Sequence, residues 1–143
     1  MYKCIHFDIK ELVSPCVYEE RGELKSWMLF DERALLTLDQ LKKAPPNFKS
    51  NGKYGSVIVN DWSWGGDYKW SGFRTPDSPH YRQWSRHSFG KAFDCKFSDC
   101  SAEEMREYVK ANKDKFPYLT EIENGVSWFH FACSNSNYFE YTP

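Results

Sequence analysis

Residues 85–94 read SRHSFGKAFD: His87 stands seven positions before Asp94, with Gly90 and Ala92 between them. Glycine tolerates a sharp chain reversal, so a histidine before the turn and an aspartate on the segment after it can be brought face to face. Ala92 leaves room beside them. Asp94 sits in an otherwise apolar segment, where an ionised carboxylate requires a cation or several hydrogen-bond donors. A third residue of the same chemical type, His130, lies in VSWFHFA, residues 126–132, amid aromatic residues. Two histidines and an aspartate are a ligand set for a zinc ion that keeps a fourth position open for water. Spacing alone leaves the alternative of a hydrogen-bonded turn histidine and a satisfied core histidine.

Outward from this stretch, SVIVNDW, KAFDCKF, YLTEIE and VSWFHFA read as short strands, each β-branched or aromatic with partial alternation. DERALLTLDQLKK predicts a helix capped by Asp31, with Leu35, Leu38 and Leu41 near helical spacing and Pro45 and Pro46 beyond its end. SAEEMREYVKANK predicts a second, with Ser101 and Glu104 in a capping box and Met105, Tyr108 and Val109 on its inner face. The expected fold class is α+β, a small antiparallel sheet flanked by helices. Asn124 and Gly125 suit a two-residue type I′ hairpin. That turn would pair Glu123 with Val126, Glu121 with Trp128 and Leu119 with His130. Glu121, Glu123, Trp128 and His130 would then share one face, with Glu121 diagonal to His130.

At 143 residues the chain is long enough for one domain with a real core, and a metal would be present for chemistry rather than to hold the fold. The net charge of -1 provides no cationic field for nucleic acid or an anionic membrane, so no nucleic-acid partner is expected. The sequence shows neither an export signal nor a run of apolar residues long enough for membrane insertion. Five cysteines without a CxxC pair fit free thiols in a reducing compartment. APPNFKSNGKYG, residues 44–55, reads as a turn-rich connection within the domain. Aromatic residues make up 18% of the chain and crowd between Trp62 and Trp84, either as core filling or as the wall of a cleft.

The pattern SxHxxGxAxD, met by Ser85, His87, Gly90, Ala92 and Asp94 and followed by WxH at 128–130, resembles the zinc-dependent M15 family of D-alanyl-D-alanine peptidases. Relatives of that family include phage endolysins and the hedgehog-type zinc fold. SGFRTP, residues 71–76, is similar to the family's SGYRSP segment, and the opening FDIKELV with the leucine-rich helix resembles the start of its phage-type members. The resemblance implies a single M15-like domain over residues 1–143 with a hedgehog/DD-peptidase-like fold. It implies Zn2+ held by His87, Asp94 and His130. Arg74 would contact substrate and stabilise the developing oxyanion, and Ser85 would lie near substrate. Independently of the resemblance, Trp84 of the aromatic stretch is a candidate substrate-binding residue on the cleft wall.

Many members place a catalytic glutamate three residues before the last histidine, where this chain has Ser127. Some phage-type relatives carry an RxE segment before the hairpin turn, which Glu123 matches, although Glu121 stands where their arginine would be. Ala132 replaces an aspartate found in several relatives two residues after the histidine. Register favours Glu121 as general base and the family pattern favours Glu123, so both are candidates. The expected function is hydrolysis of peptide bonds in bacterial peptidoglycan stem peptides by a D,D- or L,D-peptidase of phage or prophage origin. Such an enzyme would be made in the cytoplasm and act on the wall after release or within a virion. The alternative is a catalytically degenerate zinc-containing protein of the same fold that binds wall or builds a virion.

Overall fold

The computed structural model describes residues 1–49 and 51–143; Ser50, in the connection 44–55, lies outside the described residues. The described residues fold as an α+β protein with three helices and one mixed five-stranded sheet. The helices are α1 (Pro15–Trp27), α2 (Glu32–Lys42) and α3 (Ala102–Ala111). The strands are β1 (Val57–Ile58), β2 (Ala92–Phe97), β3 (Glu121–Glu123), β4 (Phe129–Ala132) and β5 (Phe139–Tyr141), in spatial order β1-β2-β4-β3-β5.

Both predicted helices form with the expected caps. The Asp31 carboxylate accepts from the Arg33 N–H at the start of α2, and Ser101 and Glu104 make a reciprocal capping box on α3. α1 was not expected; Ser14 caps it and Gly22, at φ 71, breaks it midway. The core lies between the two helices and one sheet face. Strand alternation sends Phe93 and Cys95 of β2, Ile122 of β3 and Phe129 and Phe131 of β4 into it. Leu35, Leu38 and Leu41 of α2 and Met105 and Val109 of α3 meet them there. Full burial of each phenylalanine contributes about 1.5–3 kcal/mol, which anchors the apolar side of the strands. The polar side is left free for a site.

Two expectations are corrected. The sheet is mixed rather than antiparallel, because β5 runs parallel to β3, pairing Glu121 with Phe139 and Glu123 with Tyr141. The two-residue hairpin does not form: β3 pairs with β4 through Glu121↔Ala132 and Ile122↔Phe131, four residues from the expected register. Asn124 has no positive φ, which a type I′ turn demands, although Gly125 has φ 76. Buried Arg106 of α3 supplies the reason. Its Nη1 donates to the Trp128 carbonyl and its Nη2 to the Val126 carbonyl, each at 2.8 Å. The Asn124 N–H meanwhile donates to Tyr141 of β5 at 2.8 Å. The backbone groups of the loop are thus satisfied outside a tight hairpin. An even shift leaves facing unchanged, so the glutamates and His130 still share the polar face.

Candidate metal centre

Three polar side chains converge on that face. His87 lies on a short 3-10 turn, Arg86–Phe89, whose N-cap is Ser85; the Ser85 hydroxyl accepts from the His87 N–H at 3.3 Å. Gly90 closes the turn at φ 66, where a Cβ would stand 2.0 Å from the Leu29 carbonyl oxygen. Asp94 on β2 pairs directly with His130 on β4. The predicted trio is therefore brought together: donor atoms of His87, Asp94 and His130 lie within 4.8 Å of one another and can hold a metal ion.

The geometry about each of the three side chains is specific. His87 Nδ1 lies 2.9 Å from the Gly72 carbonyl oxygen, which can only accept, so Nδ1 carries the proton and Nε2 keeps its lone pair. That Nε2 faces Asp94 Oδ1 at 3.3 Å. His130 Nδ1 lies 2.9 Å from the same Oδ1, and His130 Nε2 lies 2.7 Å from Glu121 Oε2. Arg74 donates through Nη2 to Asp94 Oδ2 at 2.7 Å and through Nε to the Trp70 carbonyl at 2.6 Å.

The SGFRTP segment is thus a scaffold for the other motif. Ser71 accepts from the Asp94 N–H at 2.8 Å, Gly72 holds the His87 ring, and Arg74 clamps the Asp94 carboxylate. Fully buried Asn60, not singled out from the sequence, supports the scaffold: its Oδ1 accepts from the Ser71 N–H and its Nδ2 donates to the Val13 carbonyl. Only three-dimensional placement identifies it, since a lone asparagine after a strand reads as a turn residue.

Charge is unevenly distributed here. Burial lowers the His87 pKa, favouring the neutral ring that a metal ligand requires. Burial would raise the Asp94 pKa, but the flanking His87 and His130 rings outweigh it and hold the carboxyl far below its ordinary range. Burial opposes charge on His130 as well, yet hydrogen bonds to Asp94 and Glu121 raise it to about 9.

The centre opens on a cleft of about 760 Å³. Arg74, Ser85 and Trp84 line it, as do both candidate glutamates. Ser127, three residues before His130, is exposed and outside this lining. Trp84 is 72% exposed and stacks near-parallel on Phe89. The crowded aromatic stretch divides its tasks: Trp62 ties its ring N–H to the Val13 carbonyl, whereas Trp70 and Trp84 face the cleft.

Asp94 pairs with His130 across β2 and β4, and Glu123 with Tyr141 across β3 and β5. Tyr141 was not foreseen; the alternation of Phe139 and Tyr141 near the end of the sequence is a short strand signal that marks it. Partial desolvation at the cleft edge and the neighbouring Glu123 charge push its phenol well above the ordinary range. Comparison with models of known protein families, with curated proteins and with solved structures finds no match to this chain.

Proposed function

We propose that this chain is a zinc metallopeptidase of hedgehog/DD-peptidase-like fold that hydrolyses peptide bonds of peptidoglycan stem peptides, phage or prophage encoded. One observation supports the metal-centre part of the reading: His87 Nε2 and His130 Nδ1 both face Asp94 Oδ1 at the floor of an aromatic-walled cleft, with Arg74 bound to the same aspartate. The peptidoglycan substrate rests on the resemblance carried by SRHSFGKAFD, SGFRTP and WxH. Two imidazole nitrogens and one carboxylate suit zinc better than a hard oxygen-seeking cation. Bound there, zinc would supply Lewis acidity, polarising a scissile carbonyl and making water acidic enough to attack near neutral pH.

The remaining steps belong to protein side chains. A carboxylate oxygen of Glu123 or Glu121 takes a proton from the attacking water and returns it to the departing amine nitrogen. Arg74 keeps a permanent charge beside the centre, and the donors of its fork not used on Asp94 and Trp70 meet negative charge developing on the carbonyl oxygen. Trp70 and Trp84 provide apolar walls that orient a peptide and exclude water.

The test is mass spectrometry of soluble fragments released from purified peptidoglycan by zinc-loaded protein, with Asp94→Ala as control. Stem-peptide fragments present only with the unsubstituted protein are the expected result, and their masses name the bond. Wall binding without fragments across several wall chemistries overturns the peptidase and leaves the degenerate wall-binding or virion protein in its place.

A further inference from the structure

Glu121 and Glu123 both reach the cleft, but their surroundings differ. Glu121 is buried, and each of its oxygens is directed at a cation or donor of the protein. Oε2 lies 2.7 Å from His130 Nε2, and Oε1 lies 3.8 Å from Arg86 Nε, a buried donor with no hydrogen-bond partner of its own. Glu123 is half-buried, on the same face of β3 and nearer the loop, and it lines the cleft.

We infer that Glu121 is a positioning residue: by accepting from His130 Nε2–H it fixes the ring so that Nδ1 is the atom offered to the metal, which leaves Glu123 as the proton-transferring carboxylate. This rests on the metal-centre part of the proposed function. His130 touches two carboxylates, Asp94 through Nδ1 and Glu121 through Nε2. A cation taking Nδ1 displaces only the proton shared with Asp94; the bond to Glu121 remains compatible with a metal-ligated neutral imidazole. Ligating histidines commonly donate their second ring N–H to a carboxylate or carbonyl, which fixes the tautomer and raises ligand basicity. His87 has the same arrangement in the other sense, with Nδ1–H on the Gly72 carbonyl and Nε2 toward the centre. Both rings are therefore locked through the nitrogen remote from the shared Asp94 oxygen. A carboxylate committed to His130 and flanked by Arg86 is poorly disposed to accept a proton in each turnover. Glu123 is bound to no metal-ligand side chain among the described residues.

Zinc affinity by chelator competition and the visible spectrum of the cobalt-substituted protein separate the two roles without reference to activity. Glu121→Ala is expected to weaken zinc binding about 10–100-fold and to change the cobalt bands. Glu121→Gln, whose amide oxygen still accepts the ring N–H, should restore affinity to within about threefold. Glu123→Gln should bind zinc as the unsubstituted protein does while losing peptide hydrolysis. Unchanged zinc affinity in Glu121→Ala, or hydrolysis surviving in Glu123→Gln, overturns the assignment while the metal centre stands. An unsubstituted protein that takes up no zinc overturns both.

Discussion

Gly72→Ala tests the interlocking of the two motifs. A methyl group at Gly72 would stand 2.0 Å from the Leu12 carbonyl oxygen and 2.9 Å from its carbon, both backbone atoms. Ordinary contact begins at 3.4 Å, so the two chain segments must part by about 1.4 Å. Phe73 N–H donates to that same Leu12 carbonyl at 3.0 Å, and the bond does not survive such a displacement. Leaving these buried groups unpaired costs about 1–3 kcal/mol, and residual overpacking adds about 1–3 kcal/mol. The expected loss is about 4 kcal/mol, a large part of the stability of a domain this size. Because the Gly72 carbonyl also holds His87 Nδ1, the displacement frees the ring and should weaken zinc binding about tenfold or more. Urea unfolding followed by tryptophan fluorescence reads the first effect and chelator competition the second. A stability loss under about 1 kcal/mol with unchanged zinc affinity would refute the reasoning.

Arg106→Met should cost about 3 kcal/mol in urea unfolding, since it strips the partners from the Val126 and Trp128 carbonyls at about 1–3 kcal/mol each; a loss below about 1 kcal/mol would mean that the loop is not held from α3. Acid should loosen β5. Glu140 bonds Lys110 Nζ at 2.7 Å and Asn124 Nδ2 at 3.0 Å, and these hydrogen bonds lower its pKa from 4.5 to about 2. A depressed carboxylate pKa gives stability that is complete above the unfolded value and fades as pH falls through the folded one. Protection of the Phe139 and Asn124 amides from hydrogen exchange should therefore decline between pH 4.5 and about 2. Glu140→Gln should abolish that decline, and a decline of the same size in the variant would assign it elsewhere.

Elements governed by local rules were legible in the sequence. Caps at Asp31 and Ser101 and leucines at helical spacing marked α2 and α3, while Asp94 and His130 were grouped by residue type and resemblance, and the sheet pairs them directly. The trio that could hold a metal was legible because its residue types are costly to bury without partners. What escaped was decided at a distance. Arg106, on a helix more than 15 residues upstream of Val126, reshaped a turn that Asn124 and Gly125 would otherwise favour. β5 forms by parallel addition to β3, a long-range pairing that three exposed residues scarcely announce. Gly22 hid α1 by interrupting its helical periodicity. Asn60 and the Gly72 carbonyl hold the site through backbone contacts that carry no sequence pattern, and these contacts explain why SGFRTP accompanies SRHSFGKAFD.

The central claim is that His87, Asp94 and His130 form one metal site. Native mass spectrometry after zinc loading and desalting tests it most directly, on the unsubstituted protein beside His87→Ala, Asp94→Ala and His130→Ala. The account predicts a single bound zinc ion in the first and none retained in the three variants, each with its fold verified by circular dichroism. Unsubstituted protein without zinc, or folded variants that retain the ion, would contradict it.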